Sequence, residues 1–234
     1  MSTKLSDVKD KIFAKLKKSG WDIPLKDFIY SEDFNKIIEY LYKDSINGKK
    51  FTPQLKDIFK AFEECPYKDL KVVFLGQDPF PGKDIADGIA FSCSYTKEAQ
   101  PTLQALLDEI NKTVNEGFNI STNPDLTRWA NQGVLLINTA LTTTTYKVGQ
   151  HYIIWQPFMA YLFDVLTWYN PGTIYVYFGK KASEWKNAVN DNNYKFELMH
   201  PATSYYREEP WDCKDVFNKI NKILLDNNNQ QIEW

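Results

Sequence analysis

Apolar residues in the first part of the chain recur at helical spacing. Val8, Ile12, Phe13 and Leu16 form one stripe, and Phe34, Ile37, Ile38 and Leu41 form a second. Such a period predicts amphipathic helices with one buried face. Further on the pattern changes. Four short apolar runs appear at wide intervals: 71–75 (KVVFL), 134–137 (VLLI), 173–178 (TIYVYF) and 194–199 (YKFELM). The first three are nearly continuous, as expected of parallel strands buried on both faces. Helical stretches over 101–114, 155–169, 181–190 and 212–226 separate or follow them. This alternation predicts an α/β fold, with a central four-stranded parallel sheet flanked by helices on both faces. No linker, repeat or low-complexity tract divides the chain. A single domain over 1–234 is expected, mainly helical over 1–70 and with the sheet core over 71–234.

In open α/β sheets ligands bind outside the carboxyl ends of the strands. The residues after the four runs therefore draw attention. They are Gly76-Gln77-Asp78-Pro79-Phe80-Pro81-Gly82, then Asn138, then Gly179-Lys180-Lys181, then His200-Pro201. An acid, an amide, a basic pair and a histidine converge on one edge. Each also has a plain structural reading: Asp78 before Pro79 suits a turn, Asn138 a loop cap, and His200 a satisfied strand-end histidine. The GQDPFPG loop is more specific, because two prolines and two glycines make a rigid backbone.

Composition narrows the chemistry. The 234 residues carry 28 Lys+Arg against 30 Asp+Glu, a formal charge of -2, so a nucleic-acid partner needs a local basic patch. Only two histidines and three scattered cysteines are present, without HExxH or CxxC spacing, so no metal site is expected. The odd cysteine count fits reduced, intracellular thiols. The N-terminus has no apolar h-region, and no apolar run approaches the roughly 18 residues of a membrane span. A soluble, intracellular monomer without cofactor is expected. Nucleotide motifs fail too: Gly179-Lys180-Lys181 lacks the upstream glycine of a phosphate-binding loop, Ala182 follows it, and GxGxxG and GxSxG are missing.

The segment 72–92, VVFLGQDPFPGKDIADGIAFS, resembles the water-activating and base-stacking region of family 1 uracil-DNA glycosylases, GQDPYH followed by HGLxFS. The resemblance continues in order. QPTLQAL at 100–106 is similar to the proline-rich loop, and GVLLINTALT at 133–142 to GVLLLNxxLT. Gln150-His151 and Trp155 resemble SH…W, YVYFGKKA at 175–182 the strand leading into the Gly-Ser loop, and MHPATS at 199–204 HPSPLS. The terminal Ile232-Glu233-Trp234 matches an IDW ending. The similarity covers roughly residues 50–234.

The resemblance implies hydrolysis of the N-glycosidic bond of deoxyuridine flipped out of DNA, releasing uracil and leaving an abasic site. Asp78 and His200 would be catalytic: Asp78 orients water and stabilises the sugar cation, and neutral His200 donates to uracil O2. Gln77 (through its backbone N–H), Phe80, Phe91 and Asn138 would bind the base, with Asn138 pairing to its N3–O4 edge. Uracil-containing DNA, single- or double-stranded, is the implied partner, and a proteinaceous inhibitor or replication partner stays open. DNA would be held by Pro81, Thr102, Lys180, Ala202, Thr203, Ser204, Tyr205, Tyr206 and Arg207. Departures stand out at Phe80 and Pro81, where the family has Tyr and His, and at Ser204, where it has its wedge leucine. Tyr205 or Tyr206 can take the wedge role. Two rivals remain: a glycosylase of the same fold acting on a C5-modified uracil or another pyrimidine, and a non-catalytic DNA-binding replication scaffold. Positive charge is expected around Lys180, Lys181 and Arg207.

Overall fold

The computed structural model describes residues 2–96, 98–207 and 209–234, without the side chains of residues 2–4, 169, 206 and 207. Three helices open the chain: α1 (Ser2–Leu16), α2 (Asp22–Ile29) and α3 (Glu32–Ile46). They are followed by β1 (Phe51–Thr52), α4 (Lys60–Glu64), β2 (Val72–Gly76), α5 (Pro101–Thr113), α6 (Thr127–Ala130), β3 (Val134–Asn138) and β4 (Thr143–Thr144). The chain closes with α7 (Tyr152–Tyr169), β5 (Ile174–Phe178), α8 (Lys180–Ser183), β6 (Tyr194–Leu198), α9 (Ala202–Arg207) and α10 (Val216–Asp226).

β2, β3, β5 and β6 form the expected parallel sheet in the order β3-β2-β5-β6. Every residue of β2, β3 and β5 is buried, which explains their unbroken apolar sequences. The outer strand β6 is mostly half-buried or exposed, and its sequence alternates accordingly. Both faces are covered. Tyr175 stacks on Phe163 of α7, whereas Phe74, in register with Val176 and so on the other face, meets Phe217 of α10. The N-terminal helices join the same core: Ser31 caps α3 by accepting from Phe34 N, and Phe28 packs edge-on against Phe158 of α7 at 5.2 Å.

Two local expectations are corrected, and two elements were not anticipated. The 181–190 stretch is not one helix. It breaks into α8 and a 3-10 turn over Lys186–Ala188, where Trp185 lies flat against Phe163 at 5.4 Å and packing overrides helix propensity. The last helix begins at Val216 rather than 212, because Asp212 Oδ1 accepts from Lys214 N and turns the chain through positive φ at Lys214 and Asp215. The segment after His200, read in the sequence only through its motif, is helical (α9). Finally, β1 and β4 form a two-residue antiparallel pair, too short to leave a pattern.

This topology positions the site. β2 lies inside the sheet with its successor β3 on one side and β5 on the other, so the chain reverses direction between β2 and β5. A crevice opens at such a switch point beyond the carboxyl strand ends. The loop 77–82, Asn138, Gly179 and His200 all lie at that edge.

Candidate active site

The loop after β2 is held from several sides. Thr139 N donates to Gly76 O (3.0 Å), Ala140 N to Gln77 O (3.2 Å) and Tyr146 N to Pro81 O (2.7 Å). The Thr139 hydroxyl adds a bond to Gln77 O at 2.9 Å. Asp78 Oδ2 accepts from Gly149 N at 2.7 Å and from Gln77 Nε2 at 3.1 Å. Its Oδ1 is buried and has no hydrogen-bond partner among the described residues. Burial raises the Asp78 carboxyl above its ordinary value, against the lowering effect of the two hydrogen bonds. An unpartnered buried acceptor costs about 1–3 kcal/mol, and a carboxyl whose pKa burial raises, at the mouth of a pocket, is a candidate for chemistry.

Beside this loop is the pocket. Phe91 adopts φ +67, a strained value for an aromatic residue, and its ring is edge-on to Phe178 at 4.8 Å and tilted to His200 at 6.3 Å. The turn that carries it is organised by Asp87, a fully buried carboxylate. Asp87 accepts from Ile89 N (3.0 Å), Ser92 Oγ (2.6 Å) and Ser94 N (2.9 Å), with Lys60 Nζ at 3.9 Å. Gly76 pairs in register with Asn138. A Cβ on it would lie 2.3 Å from Asn138 Oδ1 and 3.2 Å from Phe91 Cζ, so only glycine leaves the pocket open. Phe80, Phe91, Ser92, Asn138 and Leu141 line a cavity of about 20 Å³, room for one ordered water. Among the described residues none hydrogen-bonds the Asn138 carboxamide, although Asn138 is only 7% exposed.

His200 follows β6 with its imidazole tautomer defined by its neighbours. Nδ1 accepts from Ala202 N at 3.2 Å, which places the ring proton on Nε2 and leaves it a donor. Burial lowers its pKa, favouring the neutral ring. Gly179, at φ +88, passes so close that a Cβ there would meet His200 Cβ at 3.0 Å.

The outer residues are less uniform. Thr102 is half-buried in the first turn of α5, and Lys180 is exposed at the start of α8. Lys181 pairs with Glu184 at 2.8 Å and so adds little net positive charge. Ala202 N is engaged by His200, and the Thr203 and Ser204 hydroxyls donate to His200 O (2.7 Å) and Pro201 O (2.8 Å). Tyr205 projects from α9, 72% exposed. The side chains of Tyr206 and Arg207 lie outside the described residues.

Sequence reasoning missed three contributors. Gly149 acts through its backbone N–H, which any residue type supplies. Asp87 reads locally as an Asp-Gly turn. His151, matched to a motif without a role, is fully buried. Its Nδ1 is 2.8 Å from Thr142 Oγ1, which also accepts from Trp155 Nε1, and its Nε2 is 3.2 Å from Thr144 Oγ1 and 3.7 Å from Asp44 Oδ2. It thus ties the strand that follows Asn138 to α3. Among the described residues no cluster of three His, Cys, Asp or Glu is placed to hold a metal, and Cys65, Cys93 and Cys213 are free and buried. No helix among them is long and apolar enough to cross a membrane.

A family model for the uracil DNA glycosylase superfamily matches residues 62–225. The chain belongs to that superfamily. The uracil-DNA glycosylase of Streptococcus uberis is 32% identical over 222 residues, covering 94% of this chain and 99% of the relative. That of Francisella philomiragia is 33% identical over 204 residues, covering 86% and 92%. Among solved structures, mimivirus uracil-DNA glycosylase superposes with a TM-score of 0.81 at 25% identity, over 92% of this chain and 85% of that one. A variant of the mimivirus enzyme in complex with UGI gives a TM-score of 0.80.

Proposed function

We infer that this chain is a DNA repair glycosylase that hydrolyses the N-glycosidic bond of deoxyuridine and releases uracil. Membership of the superfamily supports the reaction. The observation that carries it at the level of residues is a set of unpartnered polar groups at one strand edge: Asp78 Oδ1, the Asn138 carboxamide and His200 Nε2. Asp78 Oδ1 is buried, and with the Asn138 carboxamide and His200 Nε2 it gives one strand edge three polar groups that no described residue hydrogen-bonds, as a ligand site requires.

In this reading water adds to C1′ of the sugar while the C1′–N1 bond breaks and its electron pair leaves on uracil. Asp78 orients the water, takes up the proton that it loses on forming the C1′ hydroxyl, and faces the developing sugar cation. Neutral His200 donates from Nε2 to O2, where negative charge gathers, a preorganised donor of the kind worth about 2.7–4 kcal/mol elsewhere. The Asn138 amide meets the N3–O4 edge with one acceptor and one donor, Phe91 stacks on the ring, and Gln77 contributes its backbone N–H. Phe80 lines the cavity and stands at C5, where its ring occupies the space that a C5 substituent would need.

DNA is held around this mouth. Pro81, Thr102 and Ala202 shape it, Lys180 offers a cation, and Tyr205 or Tyr206 acts as the wedge, with Arg207 at a phosphate. Thr203 and Ser204 reach phosphate by turning their hydroxyls from the backbone acceptors they now serve. The complex of the mimivirus variant makes UGI the first protein partner to try. The test is base release from oligonucleotides carrying U, T, 5-hydroxymethyluracil or C. Release of uracil alone supports this reading, whereas preference for a C5-substituted base, or no release at all, overturns it.

A further inference from the structure

The turn between β4 and α7 presents features that the pocket chemistry does not use. Tyr146 is 75% exposed and Val148 61% exposed, with Lys147 exposed between them and in no ion pair among the described residues. Single exposed apolar residues are ordinary. This turn differs because it is stiff and joined to the catalytic loop at two points. Tyr146 N donates to Pro81 O, and Gly149 N to Asp78 Oδ2. Thr145 N to Lys50 O (2.8 Å), Lys147 N to Thr144 O (2.9 Å) and Thr143 Oγ1 to Lys147 O (2.7 Å) brace it from behind.

The backbone adds a second observation. Tyr146 has φ +64, where glycine or asparagine is accommodated at lower cost than a bulky ring. Strain of this kind, kept at an exposed position beside a reactive carboxylate, points to use of the side chain. An exposed aromatic ring on a braced backbone, with a cation next to it, is what holds single-stranded nucleic acid: bases stack on the ring and the ammonium meets the phosphate. Little ordering entropy is lost on binding, because the turn is already braced.

We propose that Tyr146 and Lys147 form a strand-holding subsite, in which the Tyr146 ring stacks on a nucleobase flanking the extruded deoxyuridine and Lys147 Nζ meets the adjacent phosphate. The proposal rests on the uracil-excision reading above and extends it to the neighbouring nucleotide. The experiment compares wild type, Tyr146→Ala, Tyr146→Phe and Lys147→Gln on two substrates. One is a long single-stranded oligonucleotide with one central deoxyuridine, and the other is deoxyuridine bearing only its own 3′ and 5′ phosphates. On the long strand Tyr146→Ala raises KM about 5- to 20-fold with kcat within about twofold, and Tyr146→Phe behaves as wild type. On the minimal substrate wild type and Tyr146→Ala are equal. Lys147→Gln lowers the slope of log KM against log salt by about 0.7, the loss of one phosphate contact. Equal KM for wild type and Tyr146→Ala on the long strand overturns the subsite. So does an equal loss on both substrates, which would mean that the turn only supports Asp78. If wild type releases no uracil from either substrate, the excision reading fails, an outcome distinct from these two.

Discussion

Asp78 and Asp87 both follow β2, and their surroundings are opposite. Asp87 is fully buried, and its oxygens are satisfied by two backbone N–H groups and a serine hydroxyl, with a lysine close by. Asp78 is more accessible, yet one of its oxygens is buried without a partner. The two histidines repeat the contrast. His151 has a partner at both ring nitrogens, whereas among the described residues His200 is hydrogen-bonded at Nδ1 alone. Residue type and burial alone do not separate the groups that do chemistry from those that hold the site together. Within these two pairs the difference lies in the atom left without a protein partner at the strand-end edge.

The sharpest way to break this contrast is Asp78→Asn. Base release is expected to fall by at least about 10²–10³-fold, because the charge facing the sugar cation is lost. Stability is expected to hold or rise. The Asp78 carboxyl has its pKa raised in the folded state, so its ionisation opposes folding as pH climbs from 3.8 through the folded value, and an amide removes that opposition. A variant both inactive and much less stable would place Asp78 with the structural acids. His200→Leu follows, with a loss of about 10²-fold in kcat and little change in binding to an oligonucleotide. Both histidines have their pKa lowered by burial. Each therefore lends stability that is complete above pH 6.5 and declines as pH falls from there through the folded value. Thermal melts between pH 7 and 5 should show this slope, and His200→Leu should reduce it without abolishing it.

How the site was legible follows from the same contrast. The strands could be read because their burial on both faces requires unbroken apolar runs, and the strand ends then delivered Asp78, Asn138 and His200 to one edge. Phe91 came through the resemblance, since nothing in IAFS marks an aromatic held at positive φ. The supports were illegible for physical reasons. Gly149 acts through its backbone, and the Asp87 bonds arise from a turn closing on itself. The His151 environment needs Asp44 from a distant helix. α9 left no sign in the sequence because ATSYYR has no apolar period. The expected positive edge was only partly right, since Lys181 is neutralised by Glu184.

The structural members of each pair give the smaller effects. Asp87→Asn exchanges one acceptor oxygen for a donor among groups that all donate, leaving buried N–H or O–H groups unsatisfied at a cost of about 1–3 kcal/mol. Its melting temperature should fall clearly, while base release per folded molecule stays within about tenfold of wild type. Loss of activity without loss of stability would show that Asp87 belongs to the reacting site and not beneath it. Asp44→Asn should do least. Asp44 pairs with Lys49, whose side chain is 55% exposed and well screened, and lies 3.7 Å from a histidine that burial keeps neutral. Removing that charge should cost about 0.5–1 kcal/mol, lower the His151 pKa further and leave base release unchanged. NMR titration of the two imidazoles resolves this directly: only the His151 resonance should move, and a matching shift at His200 would mean that the two histidines are coupled rather than separate.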